Sequence, residues 1–297
     1  MRLALTVLAA ILGAVPVQAA TRQDMQFPKA PIVLPAGQDA VSTWRDLQID
    51  IEQSEIATSI DSGRVMSNAQ GGGLIGALAI TAAYGTKPQI LRNLKEKAES
   101  AIAPIRADLK DVDVDGLAQA SVRKGMDRTG WQGADSISVI KVASAEAWRS
   151  EPPSAGAAQR TTVFVQYDVS PDFMQVRVLA RILVEDRQPG RARILAYLPI
   201  LSIVQLRDNA FELQRNAEVW AKDNSALARQ GLLAAFAQIE HLLPRAFALT
   251  ESEVALWSAK TTPKVFAAGF NGPMVARTAK GGTVLWENGL VSVETVP

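Results

Sequence analysis

Few clusters in this chain combine the residue types and spacing that chemistry requires. The sharpest is Asp111-Val112-Asp113-Val114-Asp115-Gly116. Alternating carboxylates followed by glycine match positions 1, 3, 5 and 6 of an EF-hand calcium loop, where oxygens converge on a hard cation and glycine permits the turn. Position nine falls on Gln119, which is tolerable, and position twelve on Val122 where a bidentate Glu belongs. Calcium on Asp111, Asp113 and Asp115 would need a carboxylate from elsewhere in the fold. The competing expectation is a solvated interhelical loop in which Asp115 caps the next helix and the other two Asp face water.

Gly71-Gly72-Gly73-Leu74-Ile75-Gly76 satisfies G-x-G-x-x-G, but Ser67-Asn68-Ala69-Gln70 before it is no buried strand, so a dinucleotide site is not expected. Gly72 and Gly76 also make a G-x-x-x-G spacing that lets two backbones approach closely. With Leu74 and Ile75 they mark a candidate close-packed contact, either with the protein's own sheet or with a partner. Ser121/Lys124 and Ser138/Lys141 match S-x-x-K without the companion K-T-G or S-D-N elements. His241 is the single histidine, beside Glu240, with no nucleophile in motif relation. One His and no Cys remove thiol chemistry and two-His metal motifs. Paired carboxylates stay open, because no spacing selects a pair. No catalytic residue is assigned, and no cofactor beyond the calcium candidate.

Arg2, the apolar run Leu3–Val15 and the small residues Val17 and Ala19 form the three parts of a cleavable signal peptide, with cleavage expected after Ala19. The run is shorter than a spanning helix needs, so no transmembrane helix is expected after cleavage. With no Cys, no lipid anchor of the bacterial lipoprotein type is expected. Loss of Arg2 equalises the basic and acidic residues, from 31 and 30. A net charge near zero supplies no pull toward nucleic acid or an anionic membrane. At 48% hydrophobic and 21% charged, the chain can bury a large core without disulfides.

The elements that must position these residues follow from periodicity. Residues 20–43, with Pro28, Pro31 and Pro35, read as an extended lead-in. Leu47, Ile49 and Ile51 alternate with polar neighbours as a half-buried strand does. Leu74–Tyr84 fits a buried helix. Apolar residues from Leu91 to Leu109 recur at helical spacing, with a kink or break expected at Pro104, and a second helix is expected from Gly116 to Gly125. Ile137–Val142 reads as a strand. Thr161–Asp168, Met174–Val184 and Ile194–Leu206 read as an antiparallel meander turning at Ser170-Pro171-Asp172 and Gln188-Pro189-Gly190. A long helical zone spans Ala210–Phe247, with Asp223-Asn224-Ser225 as a restart and Pro244 as an end or bend. Lys280-Gly281-Gly282-Thr283 and Glu287-Asn288-Gly289-Leu290 are hairpin turns.

The Gly71–Leu109 stretch, Tyr167-Asp168-Val169-Ser170-Pro171-Asp172 and the closing Gly289-Leu290-Val291-Ser292-Val293 are similar to segments of uncharacterised proteobacterial envelope proteins. The resemblance implies a Gram-negative periplasmic or outer-membrane-associated setting and carries over no activity and no site residue. The expected fold is α+β: a mainly antiparallel sheet with its meander at 161–207, covered by helices 89–125 and 210–247. The expected organisation is a signal peptide (1–19), the lead-in (20–43), an α+β domain (44–260) and a small β-hairpin unit (261–297). The expected function is a non-enzymatic periplasmic binding or accessory component of the cell envelope, whose sheet or Gly-rich segment binds another envelope component, with an envelope protein as the candidate partner. The alternatives are a hydrolase using carboxylates and a calcium-stabilised module.

Overall fold

Val176, Val178, Ala180, Ile182 and Val184 point one way from β5 (Gln175–Gln188) and pack into the main core. β5 pairs antiparallel with β4 (Gln159–Val169) on one side and with β6 (Arg191–Leu206) on the other, so the expected meander forms. The computed structural model describes residues 27–35, 45–51, 53, 55–58, 88–130, 137–140, 159–188, 191–208, 210 and 212–297. Gly72, Leu74, Ile75 and Gly76, the helix expected over Leu74–Tyr84, the stretch expected to be a signal peptide, and the Pro189-Gly190 turn lie outside the described residues.

The sheet around the meander is mixed, which corrects the mainly antiparallel expectation. β1 (Arg45–Ile51) lies parallel to β4 and to β3 (Ile137–Ile140), and the short β2 (Ala57–Thr58) is also parallel to β4. On the far side β11 (Leu290–Val296) runs parallel to β6, followed by the antiparallel β10 (Thr283–Trp286) and β9 (Met274–Arg277). The order is β3-β1-β4-β5-β6-β11-β10-β9. Parallel neighbours need long crossovers. The crossover from β1 to β4 carries α1 (Pro88–Asp108) and α2 (Val114–Asp127), and that from β6 to β11 carries α3 (Leu213–Phe247) and α4 (Glu251–Ser258). The closing hairpin turns form as expected, but β9–β11 extend the main sheet. A separate two-stranded sheet holds β7 (Val265–Ala267) and β8 (Phe270–Gly272).

α3 lies on β5 and β6 and holds α1 and α2 against it. Ala98, Ala101, Ile102, Ile105 and Leu109 form the buried stripe of α1. Pro104 does not break this helix: it stands on the exposed side, as does Ser100 one turn earlier, so the ring meets no packed neighbour there. α2 begins at Val114, and its N-cap is Asp113, whose carboxylate accepts from the Gly116 N–H at 2.9 Å. That corrects the Asp115 cap; Asp115 sits in the first turn, where the helix dipole favours its charge. Pro244 bends nothing to a stop, and α3 continues to Phe247. Among the described residues no single helix is long and apolar enough to cross a membrane, although α3 and α4 meet that test jointly with a 109° bend between them.

α3 does break where Asp223-Asn224-Ser225 suggested. Lys222 is extended, and Asp223, Asn224 and Ser225 all take left-handed dihedrals (φ 53°, 55° and 56°). Such angles cost roughly 1–2 kcal/mol per ordinary L-residue, less for Asp and Asn, and need tertiary support. The support is visible on both arms. In the first, Trp220 Nε1 donates to Phe173 O at 2.6 Å and Asn216 Nδ2 donates to Asp172 O at 2.8 Å. In the second, Ala228, Leu232, Ala235, Phe236, Ile239 and Leu243 are buried in the core that α3 shares with the sheet and the two preceding helices.

Candidate functional site

The Asp111 loop fills the gap between α1 and α2, and its carboxylates go to structural tasks. Asp111 Oδ1 accepts from Arg229 Nη2 at 2.7 Å, and the same nitrogen donates to the Asp108 carbonyl at 2.8 Å. The hydrogen bond from Arg229 holds the Asp111 carboxyl below its ordinary value. Asp113 is committed to its cap. Among the described residues no group of three His, Cys, Asp or Glu converges as a metal site. Asp111 and Asp113 of the calcium candidate are thus near in sequence but aimed at separate partners, Arg229 and the Gly116 N–H. His241 is exposed, with Nδ1 3.4 Å from Arg128 Nη1, while Glu240 accepts from Arg128 Nη2 at 2.8 Å.

Ionisable groups gather instead on the sheet face away from the helices. Asp46 and Asp50 alternate with Leu47, Ile49 and Ile51 along β1, yet they are 6% and 1% exposed, so the strand read as half-buried is covered on both faces. Register places Asp46 beside Arg160 on β4 and Arg160 beside Glu185 on β5. Two rows on, Asp50 meets Phe164, and Phe164 meets Arg181. All five charged groups are buried. The Arg160–Asp46 approach is 4.0 Å, and Gln48 Nε2 donates to Asp50 Oδ1 at 2.8 Å. Between the rows, the buried Thr162 Oγ1 has no hydrogen-bond partner among the described residues.

This arrangement suits charge neutralisation better than acid–base catalysis. Asp46 and Asp50 are four residues apart on one strand, about 13 Å by strand rise. That is too far to share a proton or to flank one scissile bond. Asp46 and Glu185 stand on opposite sides of Arg160. Opposite charges alternating across strands offset part of the cost of burying each. The lead-in closes one side of this face. Phe27 meets Phe164 edge-on at 5.1 Å and stacks on Tyr197 at 5.6 Å, and the Arg181 guanidinium lies 4.2 Å from the Phe27 ring centroid. Ile32 and Tyr197 exchange two backbone hydrogen bonds. Burial pushes the Tyr197 phenol up, with Arg181 acting against it.

A smaller polar island lies under α3. Gln238 Nε2 donates to Glu294 Oε1 at 2.5 Å, and Ser292 Oγ donates to Gln238 Oε1 at 3.3 Å. Ser202 is the register partner of Ser292 and is likewise fully buried. These bonds tie α3 to β11 and fix which strand face meets the helix.

The described surface is most unusual at its C-terminal end. Of the eight exposed large hydrophobic residues among those described, four fall between Leu256 and Met274: Leu256 (61%), Val265 (39%), Phe266 (74%) and Met274 (47%). Their elements meet around β10. Trp257 of α4 lies 5.5 Å from Trp286 of β10, β9 pairs with β10, and β8 contacts it. β9 is the last strand of the main sheet. The β7–β8 hairpin turns through Ala268 and Gly269, both at positive φ, and is rooted by Phe270 against Ile203, Leu285, Val291 and Val293. Sequence reasoning passed over this surface because single apolar residues between turns are ordinary. The signal available was the run of residues 254–286 without a single Asp or Glu.

No protein-family model matches the chain, and no curated protein matches it. Among solved structures it is similar to the hypothetical protein CT253 from Chlamydia trachomatis, at 9% identity over 68% of this chain and 98% of that one, with a TM-score of 0.22.

Proposed function

We propose that this protein is an exported, non-enzymatic binding component of the cell envelope, docking through the C-terminal surface around β10. The supporting observation is the grouping of Leu256, Val265, Phe266 and Met274 as exposed apolar side chains next to the end strand of the sheet. Exposed apolar groups concentrated in one part of a fold mark contact sites more often than scattered ones do. Cell fractionation tests the reading. The mature chain, beginning at Ala20 by intact mass, is expected with the envelope, and Phe266→Asp is expected to release it into the soluble periplasm with unchanged melting. Retention of Met1 in the cytosol, or an unchanged distribution of the variant, overturns it.

The hydrolase alternative draws on Asp46, Asp50 and Glu185, buried on one face. Their alternation with Arg160 and Arg181 favours a stabilising ladder. Asp50→Asn separates the two: a ladder loses stability, whereas a catalytic carboxylate loses turnover at unchanged stability.

A further inference from the structure

We propose that the C-terminal surface docks onto an anionic lipid bilayer, a partner that deepens the envelope-binding reading and rests on it. Residues 254–286 contain Lys260, Lys264, Arg277 and Lys280 and no acidic residue. The rest of the chain then holds 27 basic against 30 acidic residues, so a total of +1 conceals +4 in this segment and −3 elsewhere. All four cations are exposed. Glu287 lies near Lys264, and Glu294 Oε2 is 4.0 Å from Lys280 Nζ. Lys260 and Arg277 meet no carboxylate among the described residues; Arg277 Nη1 donates to Thr283 Oγ1 at 3.2 Å. Glu253, just before the segment, is held by Arg245 at 2.6 Å.

The apolar groups have the form that an interface accepts. Side chains of a strand alternate between faces, yet the successive Val265 and Phe266 of β7 are both exposed, so this strand stands clear on both sides. The hairpin itself is tied down, since Gln175 Nε2 donates to the Ala268 carbonyl at 3.0 Å. α4 carries Leu256 outward and has no buried residue. Projecting apolar side chains flanked by cations enter the headgroup boundary, where apolar burial and attraction to anionic lipid add. A bound acidic peptide would need a groove, whereas Phe266 is a projection.

The test is flotation of the full mature chain with phosphatidylcholine vesicles, with and without phosphatidylglycerol. Binding is expected only with phosphatidylglycerol, and it should weaken as salt rises. Phe266→Ser should lower the partition coefficient about tenfold, and Lys260→Ala and Arg277→Ala about fivefold each. All three should melt with wild type, since each side chain is exposed. Equal binding to both vesicle types overturns the proposal, as does a Phe266→Ser variant that binds like wild type. Binding to polyglutamate but not to vesicles overturns it in favour of an acidic polypeptide. If vesicles are not bound while the mature chain still fractionates with the envelope, the lipid inference alone fails.

Discussion

The Ser225 hydroxyl donates to Asp108 Oδ2 at 2.7 Å, joining the break in α3 to the end of α1 across 117 residues of sequence. Ser225 is fully buried and holds φ at 56°, and of the three left-handed residues in the break it is the one that is neither Asp nor Asn. Ser225→Ala keeps the strain and removes the bond. It should cost about 1–3 kcal/mol in urea unfolding, because Asp108 loses a partner. Asn224→Gly, at an exposed position with φ 55°, should instead be neutral or stabilise by up to about 1 kcal/mol. Destabilisation by Asn224→Gly beyond that range would show that its side chain, not its backbone, supports the turn.

Gly72 and Gly76, the candidates for a close-packed contact, lie outside the described residues, but two helices do pack closely on a glycine at Gly125. A Cβ there would lie 2.6 Å from Leu243 Cδ1 and 3.0 Å from the Glu240 carbonyl, where α2 crosses α3. Alanine favours a helix interior by about 1 kcal/mol over glycine. Overpacking costs about 1–3 kcal/mol. Gly125→Ala should therefore lower the urea midpoint, and a raised midpoint would mean that the helices separate freely at this crossing.

Two carboxylates shift in opposite directions and give stability profiles of opposite sign. Burial pushes Glu287 above its ordinary value of 4.5, with Lys264 acting against it. Its contribution is fully present below pH 4.5 and is lost as the pH rises through the raised value. Glu287→Gln should be more stable than wild type at neutral pH, with the advantage gone below about pH 4.5. Asp111, lowered from 3.8 by Arg229, contributes above that value and loses the contribution as the pH falls through its lower folded value. Arg229→Gln should narrow the acid side of the profile. A series of melts across pH, taken on wild type and both variants, reads both signs.

Calcium is expected to bind the Asp111 loop no more tightly than the ~1 mM typical of weak extracellular modules. Asp111 is occupied by Arg229, and Val122 stands at the twelfth position. Calorimetry on the purified protein checks this. Tighter binding that Asp113→Ala abolishes would assign the loop to calcium after all.

Local chemistry carried most of the secondary structure. Alternation from Met174 to Val184 and the turn residues at Ser170-Pro171-Asp172 and Asn288-Gly289 specify strands and hairpins, because each pattern acts within a few residues. Helical spacing marked α1 and the second arm of α3 in the same way. Sheet order was decided elsewhere. The parallel pairings of β1 with β4 and of β11 with β6 depend on where the helical crossovers return the chain, which no local pattern encodes. Burial of the polar alternation was hidden for a related reason: the polar neighbours of Leu47, Ile49 and Ile51 read as the open side of a half-buried strand, and only the neighbouring strands set Asp46 beside Arg160 and Arg160 beside Glu185. The Asp111 carboxylates looked like converging ligands in one dimension. Only the crossing of α3 brings Arg229 to Asp111, and only the helix start at Val114 turns Asp113 into a cap. The basic, acid-free run at 254–286 was countable in the chain. Its standing as a surface depended on β10 gathering α4, the β7–β8 hairpin and β9 into one place, because exposure is a property of packing and not of residue type.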